Sequence, residues 1–185
     1  IDVLSSAGVG DEIAWYENDG SESFTKHSIT DDADGAVGLY AIDLDQDGDI
    51  DVLSTSEEDN NINWYENDGS QSFTTHTISS AYNDPYDVIA LDLDQDGDID
   101  VLTANFSGEN SVWFENNGSE SFTPHVINAT KGSDNRSIFA ADINQDGLID
   151  VLSVQANFDK VSWHKNTADP FKKPKFIEKT YMGED

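Results

Sequence analysis

The chain has 185 residues, no cysteine, and 38 acidic against 9 basic side chains, for a formal charge of −29. That length suits one domain, the absent cysteines exclude a disulfide framework, and the charge sets the surface against bare nucleic acid and anionic membranes. No apolar run approaches the ~20 residues of a membrane helix, so membrane insertion is not expected.

The chain opens on Ile1-Asp2-Val3-Leu4, a four-residue tail that returns as Ile50-Asp51-Val52-Leu53, Ile99-Asp100-Val101-Leu102 and Ile149-Asp150-Val151-Leu152. The period is therefore 49 or 50 residues, and the expected units are 1–37 (partial), 38–87, 88–137 and 138–185 within a single repeat domain, 1–185. There is no initiator Met or signal peptide, and a start inside a broken repeat is expected of a mature segment or fragment.

The elements of the first unit follow in order. After the Val3-Leu4 run comes an aromatic pair, Trp15-Tyr16, then Asn18-Asp19-Gly20-Ser21, then a run from Phe24 through His27 to Ile29. The short β-branched or aromatic runs read as strands, and the Asn-Asp-Gly stretch between them reads as a hairpin. The second unit begins with a further strand, Leu39–Ile42, and then meets Asp43-Leu44-Asp45-Gln46-Asp47-Gly48-Asp49-Ile50-Asp51. Carboxylates at every odd position of a tight loop supply the crowded hard oxygens that Ca²⁺ selects. Asp43, Asp45, Asp47 and Asp51 are expected to offer side chains, Asp49 its backbone carbonyl, and Gly48 the turn. Unneutralised, five carboxylates so close would repel one another.

The third unit repeats every feature: Val88–Leu91, then the loop Asp92, Asp94, Asp96, Asp98 and Asp100, then Trp113-Phe114, Asn116-Asn117-Gly118-Ser119 and Phe122 through His125 to Ile127. The fourth carries Ile138–Ala141, the loop Asp142, Asn144, Asp146, Leu148 and Asp150, and Trp163-His164. Asn144 keeps an oxygen, and Leu148 stands where only a carbonyl is needed, so three Ca²⁺ sites are expected. Position twelve holds Ser54, Thr103 and Ser153 where an EF-hand requires Glu, and no flanking helix is predicted, so these are not EF-hands. The end of the last unit departs from the pattern, with Pro170 and Pro174 and no glycine turn, and its final strand near Lys175–Glu178 is expected to be irregular. Six of the nine basic residues lie in this region, at Lys160, Lys165, Lys172, Lys173, Lys175 and Lys179.

Four antiparallel strands at this period define an all-β chain of β-propeller blades, about 3.75 of them, as a partial propeller or arc. One tryptophan per blade (Trp15, Trp64, Trp113, Trp163) is expected to pack between blades, and the lone histidine of each of the first three units to be structural. The chain resembles the FG-GAP/VCBS repeats of integrin α-chain propellers, some fungal lectins and many secreted bacterial proteins. The resemblance rests on the Asp-x-Asp/Asn-x-Asp-Gly-x-x-Asp loop followed by Val-Leu and then Trp-Tyr/Phe-Glu-Asn-Asp/Asn-Gly, and it covers nearly the whole chain. It implies a calcium-binding propeller on a fold that serves adhesins, lectins and accessory enzyme domains alike. The absent Phe-Gly and Gly-Ala-Pro signatures favour the VCBS-like branch.

Function is expected to lie away from the uniform calcium-loop face. The opposite connections vary from unit to unit, with Tyr82, Tyr86, Phe106, Arg136 and Phe158 as candidate ligand contacts. Sequons at Asn105, Asn117, Asn128 and Asn135 are candidate glycosylation sites. There is no nucleophile elbow, phosphate loop or histidine-rich cluster, so no enzyme is expected. The reading is a non-catalytic, extracellular, calcium-binding module for glycan or protein, a cell-surface adhesion role among its forms. The alternatives are a subunit of a self-assembling fibre or surface layer, and an accessory domain of a secreted polysaccharide-degrading enzyme. Because the first unit lacks its innermost strand, completion by further repeats, a second copy or a filament is expected.

Overall fold

The computed structural model describes residues 2–107, 111–127, 134–167 and 173–182, with side chains described to residue 179. Fifteen strands and one short 3-10 turn, Ala156–Phe158, make up the regular structure among the described residues, with no α-helix. They form four antiparallel sheets of the blade type. The first has three strands, β1 (Val3–Ala7), β2 (Glu12–Asn18) and β3 (Phe24–Thr30). The others have four each: β4 (Ala36–Ile42) to β7 (Phe73–Ser79), with β5 (Asp51–Ser56) and β6 (Ile62–Asn67) between; β8 (Pro85–Leu91), β9 (Asp100–Asn105), β10 (Ser111–Asn116) and β11 (Phe122–Val126); and β12 (Asn135–Ala141), β13 (Asp150–Gln155), β14 (Lys160–Asn166) and β15 (Phe176–Met182). The first strand of each complete blade begins at Ala36, Pro85 or Asn135, two or three residues before the boundary that the repeat suggests.

The expected irregularity of the last strand is not found. Lys160 to Asn166 pair without a shift against Met182 to Phe176. Pro174 precedes that strand, where a missing N–H removes nothing from the ladder, and Pro170 lies outside the described residues.

The chain divides into two compact units, Ile1–Pro85 and Tyr86–Asp185. In each unit the core lies between successive sheets. Ile13, Ala33, Ala36, Val52 and Tyr65 form it in the first, with Leu4, Ile29, Leu39 and Phe73 packed around them. Leu93, Leu102, Ala104, Trp113, Ile138 and Val151 form it in the second. The second strands β5 and β9 are buried at every position, while the outer strands β3, β7 and β11 are largely exposed.

The registers align a cross-strand row in each blade. Leu4, Leu53, Leu102 and Leu152 face Trp15, Trp64, Trp113 and Trp163, which in turn face His27, His76, His125 and Lys179. Each histidine ring stacks on its indole, with centroids 4.3, 4.6 and 4.6 Å apart, and bonds the glutamate two residues beyond the tryptophan (Glu17, Glu66, Glu115) at 3.1, 2.6 and 2.7 Å. In the last blade Lys179 takes the histidine's place, its Nζ 4.9 Å from the Trp163 ring. The histidines are structural, as expected.

A second buried row carries polar pairs. Ser54 Oγ lies 3.2 Å from the Tyr65 hydroxyl, and Ser153 Oγ lies 2.8 Å from His164 Nε2 at the equivalent place. His164 has no exposed surface, and burial pushes its pKa down to about 4. Because the folded pKa lies below the unfolded value of 6.5, the unfolded chain takes the proton first as pH falls. This contribution to stability is intact above the unfolded pKa and is lost as pH falls through about 4, a loss on the order of 3 kcal/mol. Denaturant unfolding of His164→Phe should show a flatter acid limb than the parent chain, as Phe114 already fills the equivalent position.

Candidate metal centre

Each acidic loop joins the first strand of a blade to the second, and two residues of left-handed backbone curl it. Gly48, Gly97 and Gly147 have φ of 103°, 104° and 89°, and Gln46, Gln95 and Gln145 have φ of 62°, 64° and 62°. The glycines were legible as the turn. The glutamines were not, since a long side chain rarely adopts positive φ.

In loop 43–51, backbone donors turn the carboxylates inward. Asp43 Oδ2 accepts from Gly48 N at 3.1 Å, Asp45 Oδ1 from Asp47 N at 3.1 Å, and Asp47 Oδ1 from Asp49 N at 2.9 Å. One oxygen from each of Asp43, Asp45 and Asp47 lies within 4.8 Å of the others, and Asp43 Oδ1 is buried without a hydrogen-bond partner. An orphaned buried carboxylate oxygen beside two others fits a hard cation, so the residues present suit Ca²⁺. In loop 92–100 the corresponding group is Asp92, Asp94 and Asp100. Burial, reinforced by the neighbouring charge of Asp96, pushes Asp94 up to about 6. Burial pushes Asp100 up to about 7, although Asn116 N and Leu93 N bond to it and the Trp113 indole N–H faces it without reaching hydrogen-bond geometry. Asp45 and Asp51 are also raised, mainly by burial.

The side chains of Asp49 and Asp98 leave the loop and lie over Gly69 and Gly118, where a β-carbon would collide with their carboxylates. Loop 142–150 is built differently. Asp146 Oδ2 accepts from Lys165 Nζ at 3.0 Å, and Asn144 Nδ2 donates to Asp150 Oδ2 at 3.0 Å.

A further role was missed by sequence reasoning. The last aspartate of each loop also accepts the backbone N–H of the hairpin asparagine: Asp2 from Asn18, Asp51 from Asn67, Asp100 from Asn116 and Asp150 from Asn166, at 2.9, 2.8, 2.8 and 2.7 Å. The amides of Asn67, Asn116 and Asn166 return the bond to the carbonyls of Ile50, Ile99 and Ile149. These asparagines end their strands, and in the first three blades the turn proper is the five residues that follow. The spacing of the Asn-Asp-Gly motif was the signal, but it reads as a two-residue hairpin and not as a clamp. Replacing Asn116, 2% exposed, by Ala should cost about 1–3 kcal/mol in denaturant unfolding. Ser119→Ala, on the exposed turn, should stay within ~0.5 kcal/mol.

Of the predicted ligand contacts, the structure brings three together. The Arg136 guanidinium carbon lies 4.5 Å from the Phe106 ring centre and 5.3 Å from that of Tyr86. Phe158 stands exposed on the 3-10 turn and does not join this stack, and Tyr82 belongs to the other compact unit. The sequons at Asn105 and Asn135 are corrected: both asparagines are fully buried in strands, so neither offers an accessible amide. Asn117 is exposed, and Asn128 lies outside the described residues. No described helix is long and apolar enough to cross a membrane.

The pattern that defines the FG-GAP-like repeat matches residues 1–54, 43–103 and 92–153. This chain belongs to the FG-GAP-like repeat family. None of the curated proteins matches it. Among solved structures it is similar to a lectin from Agrocybe aegerita, described as specifically recognising non-reducing terminal N-acetylglucosamine. The TM-score is 0.56 and the identity 16%, over 98% of this chain and 52% of the lectin. The chain thus spans about half the length of that structure, and at this identity the likeness is one of fold.

Holding a divalent cation in loop 92–100 requires Asp94 and Asp100 as carboxylates, and both keep protons well above the ordinary carboxylate range. Calcium uptake there should release protons, and affinity should rise as pH climbs through about 6 and about 7. Calorimetry in buffers of different ionisation heat should detect the release near about pH 6 and not near about pH 8. Asp100→Asn should reduce it, leaving the part that Asp94 contributes.

Proposed function

We propose that this chain is a non-catalytic, extracellular, calcium-stabilised propeller module that binds glycans. The observation that carries the reading is a cleft of about 510 Å³ in the first compact unit, beside loop 43–51. Trp15, Ile50 and Phe73 give it an apolar wall, and Asp2, Asp49 and Gln71 bring carboxylate and amide groups to it. A pyranose ring presents an apolar C–H face and a rim of hydroxyls, which is the complement of such a lining. Gly48 and Ile50 of the acidic loop also line the cleft, so a cation in that loop would fix part of its wall. The fold shared with a sugar-binding lectin supports the same reading. An extracellular setting suits loops of this kind, because calcium is abundant there and even modest affinity fills them.

On a glycan array with calcium present, the chain should retain a restricted set of sugars. Asp49→Ala and Gln71→Ala should each weaken retention by about tenfold or more, the loss of one or two hydrogen bonds to the ligand. Asp49→Ala should leave calcium stoichiometry unchanged, because the expected ligand at that position is the backbone carbonyl. Arg136→Ala should not alter sugar retention. Binding insensitive to both cleft substitutions, or no sugar retained, overturns the assignment.

A further inference from the structure

The three acidic loops share a sequence pattern but not a state of their carboxylate oxygens. In loop 142–150 every one is already engaged by a donor from the chain. Asp142 Oδ1 and Oδ2 accept from Asp146 N and Gly147 N at 3.1 and 2.8 Å. Asp146 Oδ1 accepts from Leu148 N at 3.1 Å, and its Oδ2 holds the Lys165 ammonium at 3.0 Å. Asp150 Oδ1 takes Asn166 N at 2.7 Å, and its Oδ2 takes Asn144 Nδ2 at 3.0 Å.

In loops 43–51 and 92–100 backbone N–H groups likewise engage both oxygens of Asp51, Asp92 and Asp100, but the middle aspartates are left open. Asp45, Asp47, Asp94 and Asp96 each use Oδ1 for a backbone N–H, and their Oδ2 atoms meet no donor among the described residues. Asp43 Oδ1 is buried and unpartnered besides. The charges differ in the same sense. Each of the first two loops carries five aspartates, and the strand position facing it holds Glu66 or Glu115. The third carries three aspartates, and that position holds Lys165. A divalent cation is drawn to uncompensated carboxylates and must displace whatever already neutralises them.

We infer that the Lys165 ammonium closes the third loop in the place where the other two take a divalent cation, so that the chain binds two calcium ions and not three. This rests on the calcium reading above and sharpens it. The last blade then keeps its loop folded without metal, while the loops of the two preceding blades depend on it.

The test is calorimetric titration of the calcium-free 185-residue chain with Ca²⁺ alone. The expected stoichiometry is two for the wild type and three for Lys165→Glu, which frees Asp146 Oδ2 and restores the residue type that Glu66 and Glu115 provide in folded blades. Lys165→Gln removes the ammonium without adding a carboxylate and should also reach three. Asp146→Asn should leave the wild-type value at two, while Asp47→Asn and Asp96→Asn should each lower it by one. A strand-type circular dichroism spectrum confirms that each variant is folded. Three sites in the wild type, or two in both folded Lys165 variants, overturn the proposal. No uptake by the wild type overturns the calcium reading itself and this inference with it.

Discussion

The constraint on which the blades depend is the double duty of one aspartate per repeat. Asp51, Asp100 and Asp150 close an acidic loop at one oxygen and clamp the neighbouring hairpin at the other. A carboxylate accepting a backbone N–H is among the stronger hydrogen bonds, and here it is buried, so leaving it unmade would be costly. The connection ties the first and third strand ends of a sheet through a single side chain. Antiparallel order already places loop and hairpin on the same end of each blade, and this one residue bonds them together there.

Around that clamp, the repeated leucine, tryptophan and histidine row sets the thickness of each blade, and the apolar faces between successive sheets form the core. The chain solves the same local problem with different chemistry in its last copy. Lys179 replaces a histidine over the indole, Lys165 replaces a glutamate beside the loop, and His164 replaces an aromatic side chain against a buried serine. Six of the nine basic residues lie in this last unit, Lys165 and Lys179 among them, while burial keeps His164 uncharged. That asymmetry gives nearly identical repeats distinct local electrostatics.

Much of the fold was legible because its signals are local and repeated. The 49- or 50-residue period, the four short runs per unit and the odd-position carboxylates are all read within a few neighbouring residues. The parts that were not legible depend on contacts across strands. Nothing in the spacing says that Asn67 clamps Asp51, that Gln46 takes a left-handed backbone, or that Lys165 reaches Asp146 nineteen residues away. Tyr86, Phe106 and Arg136 were named separately for lying on variable loops, and only the tertiary fold makes them a stack. The buried Asn105 and Asn135 show the reverse: a short motif that looks accessible in sequence can lie inside a strand.

The hydrogen-bonded glycines have a bearing on how long such a chain lasts. Asp-Gly and Asn-Gly junctions are the weak points of old proteins, because the glycine nitrogen can attack the preceding side chain and rearrange the backbone through a cyclic imide. This chain repeats such junctions in nearly every turn. Yet the N–H of Gly48, Gly97 and Gly147 is held by Asp43, Asp92 and Asp142, and that of Gly20, Gly69 and Gly118 by Asn18, Asn67 and Asn116. A nitrogen engaged by another residue in a fixed curl is kept from the approach that ring closure requires. The bonds that shape the turns thereby protect the covalent chain from spontaneous ageing.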